Sequence, residues 1–391
     1  MALLEEFGTV KNRISFTSRA PRQTRQTWDN AGIVPRSVDR EIVESMHRIH
    51  MGVGADAVNV LLHGLRTSLS DGWGGSMMAT EVSDVLFGTP EIKKSQVNMG
   101  VFKPDQVNIV LHGHNPILSE MIVAAAQDPE MIKLAQDKGA KGINLAGMCC
   151  TGNELMMRRG IPVAGTLLTQ ELALATGAVE AMIIDYQCIF PSIGQTAACY
   201  HTKLISTSEK SKVPGAEHME FCSETAEQTA EKIVRLAIDN YAHRDEDRVY
   251  IPGRPMDLTA GFSVEAIIKA LGGSPQPLLD AFTSGSIRGA VGIVGCNNPK
   301  IKHNYGHVQL AKELIKQDVL VVETGCSAIA CAQAGLLKPE AASLAGPGLK
   351  EVCTSLGIPP VLHMGSCVDC SRILVLAAAL AKACSWCIDS R

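Results

Sequence analysis

The sequence predicts an α/β protein, a helical N-terminal part followed by two doubly wound parallel sheets. From about residue 96 onward, short runs of Ile, Val and Leu alternate with helical stretches, the pattern of a parallel sheet covered on both faces. Upstream of that point apolar residues recur at helical spacing instead. The stretch GINLAGMCCTGNE sets the adjacent thiols of Cys149 and Cys150 between an apolar run and a helix-forming run. The same arrangement recurs at Cys188, Cys296, Cys326 and Cys367.

Taken in order, residues 1 to about 35 are polar, carry Pro21 and Pro35, and are expected to form an ordered connector. Ile42, Val43, Met46 and Ile49 fit one helix face and Val58, Leu61, Leu62 and Leu65 a second, with Gly52 and Gly54 between them. DGWGGS at 71–76 is expected to end this helical part, and a third helix to stop at FGTP, 87–90. VNIVLHGH, GINLAGM, AMIIDY and KLISTS then read as strands, each feeding a helix, the last being the amphipathic run Ala226 to Asn240. HRDEDR at 243–248 reads as a charged, exposed break, after which GAVGIVGC, VLVVETGC and PVLHMGSC form a second alternating set. The expected domains are therefore 1–95, helical; 96–248, a first Rossmann-like domain; and 249–391, a second.

Hydrophobic residues, 46% of 391, can fill sizeable cores, while aromatics at 4% suit close packing of helices and strands more than base stacking. A formal net charge of -4 without long basic runs leaves no electrostatic footprint for nucleic acid. Apolar runs such as that around Ile373 to Ala381 fall short of the roughly 18 residues that span a bilayer, and the N-terminus is acidic where a secretory signal is basic. No membrane span is expected, and a cytoplasmic location is. In such a reducing compartment, 13 cysteines read as metal ligands or buried thiols rather than disulfides.

Position separates those two roles. A cysteine in isolation is usually a small buried hydrophobe, and Cys199, Cys222, Cys331, Cys353, Cys384 and Cys387 are read that way. The strand-end sites differ because each sits at a carboxyl edge, where open α/β sheets bind ligands and a following helix N-terminus favours thiolate or sulfide. Their wide separation excludes a zinc knuckle, and thiolates suit iron–sulfur chemistry and soft metals. LHGHNP delivers His112 and His114 to the same edge; His114, nearest the helix start, is the preferred ligand and His112 its outer partner. His47 and His50, three apart on a helix, share a face and read as a surface or packing pair.

HGHNP, GMCCTGNE, DYQCIFPS, CYHTKLISTS, GIVGCNNPK, ETGCSAIAC and HMGSCVD together resemble the anaerobic nickel–iron carbon monoxide dehydrogenases, over roughly residues 1 to 383. The resemblance implies a nickel–iron–sulfur cluster with His114 and Cys150 on an outer iron, Cys188, Cys296 and Cys326 on the cubane irons, and Cys367 on nickel. Cys149 would be a neighbouring thiol able to swap in during assembly or oxidation. The implied reaction turns CO and water into CO2, two protons and two electrons, reversibly. CO is held at nickel and water is activated at the outer iron, so the catalytic residues are His114, Cys150 and Cys367. A ferredoxin-like electron acceptor and a homodimer follow from the same resemblance.

Set against the family pattern, the chain begins after the clustered cysteines of the relay [4Fe–4S] centres and after a histidine ladder for proton export. It stops at Arg391, before a lysine that serves as acid and hydrogen-bond donor to bound CO2. The helical part and the last domain are accordingly expected to be incomplete. Cys370 stands where the family usually has Asn, and Asn115 where an acidic residue is common; neither change removes a ligand. One codon choice for Cys384, Ser385, Trp386 and Cys387, read one base later, gives Ala-Leu-Gly-Val, so the tail is expected to reflect a frameshift. Two other functions compete. Hybrid-cluster (prismane) proteins, similar in fold, reduce hydroxylamine with a glutamate among their ligands and no nickel. A truncated, non-catalytic cluster-binding chain would instead pair with a complete subunit. The lack of an obvious ligand glutamate near His114, with Cys367 in MGSC, favours nickel.

Overall fold

The computed structural model describes residues 13–383; Cys384, Cys387 and the tail read as a frameshift product lie outside the described residues. The chain forms two compact units. One is drawn from the segments up to Thr89, Ser263–Ala290 and Val368 onward, and the other is Pro90–Phe262 with Val291–Cys367. Each unit therefore takes segments from more than one of the stretches 1–95, 96–248 and 249–391.

The first unit is helical. Where a connector was expected, residues Arg22–Asn30 form a helix that buries Trp28. Ser37 caps the helix Val38–Met51 by accepting the Arg40 N–H, and Asp56 caps Ala57–Ser70 by accepting the Asn59 N–H at 2.7 Å. DGWGGS does not end the helical part. Asp71–Gly75 makes a π-helical turn that runs on into the helix Ser76–Phe87, because Trp73 turns inward and meets Trp28 edge-on, ring centroids 5.8 Å apart. The two rings, with Ala20, Ile33, Met77 and Ala378, form the core of this unit.

The two amphipathic helices turn their apolar faces outward. Ile42, Val43, Met46, Val58, Leu61 and Leu65 are exposed, and Ile49 is 84% exposed. The inward face is polar instead: buried Glu41 accepts from Arg36 Nε at 2.9 Å and Arg66 Nε at 2.7 Å, and Arg66 also reaches Glu44 at 2.8 Å. Burial works against the Glu44 charge, yet the Arg36 hydrogen bond and the charges of Arg66 and Arg36 hold its carboxyl down to about 2. His47 and His50 are exposed.

In the second unit the strands are β1 Lys93–Val97, β2 Val107–His112, β3 Ile143–Met148, β4 Val163–Gly165, β5 Ala181–Ile184, β6 Lys203–Ser206, β7 Glu217–His218 and β8 Met256–Ala260. They form one sheet in the order β7-β6-β5-β2-β3-β4-β1-β8, parallel except for β8 against β1. β9 Gly289–Ile293, β10 Val319–Thr324 and β11 Val361–Gly365 form a smaller sheet, ordered β11-β10-β9. All six residues of β2 are buried, as a central parallel strand requires. The helices Pro116–Ala126 and Ala226–Asn240 cover one face of the large sheet through Leu118, Ile122, Ile233 and Val234. Leu174 and Ile193, from short helical turns, cover the other. HRDEDR is not wholly exposed: Arg244 is buried, its Nε 2.8 Å from the buried Glu180 carboxylate. The short strands β1, β4, β7 and β8, of which β7 and β8 are the edges, carry too little apolar run to be distinguished in sequence.

The order of the large sheet reverses at β2, whose neighbours are β3 on one side and β5 on the other. That is the switch point at which open α/β sheets bind ligands beyond the carboxyl ends of their strands. The helix Cys149–Arg159 starts there and is buried from Cys149 to Arg158. It packs on β2 and β3 and also on β11 and the helix Gly325–Gln333, so it joins the two sheets. Gly147 and Gly152 permit this approach, since a Cβ on Gly147 would lie 2.2 Å from the Gly152 Cα. Among the described residues no helix is long and apolar enough to cross a membrane.

Candidate metal centre

The strand ends at which His114, Cys150, Cys188, Cys296, Cys326 and Cys367 were expected meet in the second unit. Cys149 and Cys150 open the helix Cys149–Arg159, and Cys326 is the second residue of Gly325–Gln333, as expected. For Cys188, Cys296 and Cys367 no helix follows at once, a difference from expectation: after Cys296 the chain loops until Tyr305, and after Cys367 the next helix begins at Cys370. At Cys188 a sharp backbone turn replaces the helix start. Cys149, Gln187 and Cys188 all have positive φ (56°, 62° and 59°), and none is glycine. Such conformations cost about 1–2 kcal/mol per residue and persist where the surroundings over-determine them, typically at functional sites.

His114 is presented by Gly113, whose φ of +138° few other residues adopt. Asp185, at the end of β5, accepts the His114 N–H at 2.7 and 2.8 Å and the Asn115 N–H at 2.7 Å. His114 Nδ1–H donates to the Tyr186 carbonyl at 3.2 Å, and Nε2 faces the Cys188 sulfur at 3.9 Å. A ligating histidine is typically held this way, its second nitrogen committed to a carbonyl. Burial lowers the proton affinity of His114, but the Cys188 hydrogen bond and the charges of Cys188 and Asp185 outweigh it, so its pKa is raised. Asn115, at the position where an acidic residue is common, caps the next helix by accepting the Leu118 N–H at 3.2 Å.

Four of the sulfurs contact one another in a chain and two more form a pair. Cys149 hydrogen-bonds Cys188 and Cys326, Cys296 bonds Cys326, and Cys150 bonds Cys367, whose N–H also points at the Cys150 sulfur at 3.4 Å. Cys149 brings Cys188 down to about 5, and Cys149 with Cys296 brings Cys326 down to about 3; Cys150 lowers Cys367 in the same way. Their partners Cys149, Cys150 and Cys296 are raised, because each donates its proton to a neighbouring thiolate and resists a second charge beside it. So many sulfurs in one place can all ionise only around positive charge, which is the chemistry of a metal cluster. They are not gathered around a single point: among the described residues only Glu41, Glu44 and His63, in the first unit, place their ligand atoms within 4.8 Å of one another. That trio is already neutralised by Arg36 and Arg66. Soft donors spread over several strand ends fit a multi-metal sulfur cluster better than one ion.

Supporting residues escaped the sequence reading. Asn153 donates to the Cys149 carbonyl at 2.7 Å and accepts from His363 Nε2 at 2.7 Å, so a buried histidine of β11 steadies the Cys149–Cys150 turn. Glu154 pairs with Arg158 and holds the Ser366 hydroxyl next to Cys367. Gln170 is fully buried and reaches the Cys188 carbonyl. Of these, His363 and Asp185 left a signal, each a polar residue at or near the end of an otherwise apolar strand; Gln170 left none. His112, the expected outer partner, is buried; desolvation brings it down to about 4 and Gln170 accepts from its Nε2 at 3.3 Å, so it remains neutral. Cys331 and Cys353 are buried thiols as expected, whereas Cys199 and Cys222 are exposed.

Comparison with known proteins adds relatives. A family model described as Prismane/CO dehydrogenase family matches residues 1–390. The chain is 64% identical to carbon monoxide dehydrogenase 1 of Methanosarcina mazei over 97% of its own length and 61% of the relative's. It is 48% identical to carbon monoxide dehydrogenase 2 of Carboxydothermus hydrogenoformans, over 90% of this chain and 57% of that one. A nickel-free carbon monoxide dehydrogenase structure from Thermococcus sp. AM4 superposes with a TM-score of 0.95 at 59% identity, covering 98% of this chain and 61% of that one. The chain thus spans about three-fifths of the length of these relatives.

Proposed function

The chain belongs to the Prismane/CO dehydrogenase family, and from that premise we propose that it binds a nickel–iron–sulfur cluster and oxidises CO with water to CO2, reversibly. His114 and Cys150 would hold an outer iron, Cys188, Cys296 and Cys326 the cubane irons, and Cys367 nickel. Such a cluster supplies CO binding, activation of water and storage of two electrons. The protein's own part is to fix that chemistry in place. Asp185 locks the His114 loop and Tyr186 fixes the imidazole tautomer. Backbone N–H groups of Cys367 and Leu167 point at the sulfurs of Cys150 and Cys326, which disperses their charge. His112, neutral and bonded to Gln170, walls the site without adding charge.

The observation that carries this reading is the meeting of one histidine and six cysteines from six strand ends of the two sheets, beside the large sheet's switch point. Relatives at 64% and 48% identity bear the carbon monoxide dehydrogenase name, which favours CO over the hydroxylamine-reducing alternative. A cytoplasmic, anaerobic setting and a ferredoxin-like electron acceptor belong to the same proposal. So does a dimer, with a second copy or with a complete subunit. The outward apolar row Ile42, Val43, Met46 and Ile49, beside Val58, Leu61 and Leu65, is the face such a partner would cover. The test is CO-dependent viologen reduction by chain purified and reconstituted with nickel, iron and sulfide without oxygen. Turnover with CO supports the reading, reduction of hydroxylamine alone moves it to the hybrid-cluster class, and neither activity in a metal-loaded sample refutes catalysis by this chain.

A further inference from the structure

We propose that Gln170 is the positioning residue that holds the Cys188 and Cys326 sulfurs in register for a shared cluster, an inference that rests on the cluster reading above. The Cys188 turn is unusual because Gln187 and Cys188 are consecutive left-handed residues, φ 62° and 59°, and neither is glycine. Something outside the turn must hold it. Gln170, fully buried, brackets it: Nε2 donates to the Cys188 carbonyl at 3.1 Å, and Oε1 accepts the Phe190 N–H at 3.1 Å. The same Nε2 donates to the Leu167 carbonyl at 2.7 Å. That bond fixes the turn Leu167–Thr169, whose Leu167 N–H donates to the Cys326 sulfur. His112 Nε2–H fills the last position on Oε1 at 3.3 Å.

The amide can sit only one way round, since exchanging its oxygen and nitrogen would set oxygen against two carbonyls and NH2 against a backbone N–H. Glutamate would meet the same two carbonyls, and asparagine is one methylene too short. Every hydrogen-bonding position of Gln170 is thus spent on aligning other groups, and its side chain joins the loop that follows β5 to the loop that touches Cys326.

The experiment loads the full 391-residue chain with iron and sulfide without oxygen and follows iron loss to a chelator, with the cluster's visible spectrum recorded alongside, for unchanged chain, Q170M, Q187G and the double variant. Gln187 is exposed, so glycine there relieves the left-handed turn without touching the core. Q170M is expected to lose iron about tenfold faster or more, as removal of an outer-shell partner does. Q170M/Q187G is expected to return to within about threefold of the unchanged chain, because glycine removes the cost that Gln170 offsets. A residue needed only for folding would not be rescued by a glycine on an exposed turn. Iron loss from Q170M at the unchanged rate, or no rescue by glycine, overturns the proposal. If Q170M does not fold, Q187G alone decides: slower iron loss than the unchanged chain supports it, equal or faster loss overturns it. An unchanged chain that takes up no iron sinks the cluster reading and this role with it, whereas iron in the unchanged chain with indifferent variants sinks only the role of Gln170.

Discussion

Replacing Glu323 with Gln is predicted to remove a pH-dependent loss of stability that the unchanged chain carries. Glu323 lies in β10 with no exposed surface; it accepts the Cys331 thiol on Oε1 at 3.2 Å and has no partner for Oε2 among the described residues. Burial pushes its carboxyl from the ordinary 4.5 up to about 8, the Cys331 hydrogen bond opposing only in part. The group is an acid whose folded pKa is raised, so the native chain keeps a proton that the unfolded chain has released. Its stabilising share is therefore fully present below about pH 4.5 and is lost progressively as pH rises to about 8, where the native carboxyl ionises as well. At about 1.4 kcal/mol per tenfold in proton affinity, roughly 5 kcal/mol is at stake across that window, a large part of a typical domain's stability. Glutamine keeps the shape and cannot ionise. Urea midpoints of the metal-free chain and of E323Q, taken at steps from about pH 5 to about pH 9 with equal m-values, should diverge in favour of the variant and then level off. Curves that stay parallel to within about 1 kcal/mol would refute the reasoning.

Gly113→Ala would set a Cβ 2.0 Å from the Asp185 carboxylate at a backbone φ of +138°. It should cost about 3 kcal/mol or more in urea unfolding and release the iron nearest His114 first. Cys326→Ser should lower iron content on reconstitution, whereas Cys331→Ser, at a thiol bonded to Glu323, should leave it unchanged; atomic absorption on both variants checks the pair. Val43→Glu with Ile49→Glu, on the outward face of Val38–Met51, should convert a dimer to monomer in sedimentation velocity while the far-UV spectrum stays the same.

The alternation of strands and helices was legible from residue 96 on because buried parallel strands such as VNIVLH are continuous apolar runs. The candidate ligands were legible for the same reason, as cysteines where such runs stop. What the sequence hid was set by contacts between distant segments. β8 joins the large sheet beside β1 across more than a hundred residues, and DGWGGS stays helical because Trp73 finds Trp28. The helix at Val38–Met51 read correctly as amphipathic, but its apolar face turned out exposed and its polar face inside, since Glu41 is matched by Arg36 and Arg66. The roles of Gln170 and Glu154 at the site left no local signal, since they depend on Cys188, 18 residues from Gln170, and on Ser366, 212 residues from Glu154.

The most direct test is the nickel, iron and acid-labile sulfide content of the chain reconstituted and purified without oxygen. About one nickel and about four irons per chain are expected, with sulfide to match, lost together when Cys188 or Cys326 is changed to Ser. A well-folded chain that holds no iron or sulfide, or holds a single ion indifferent to those substitutions, would contradict the cluster reading.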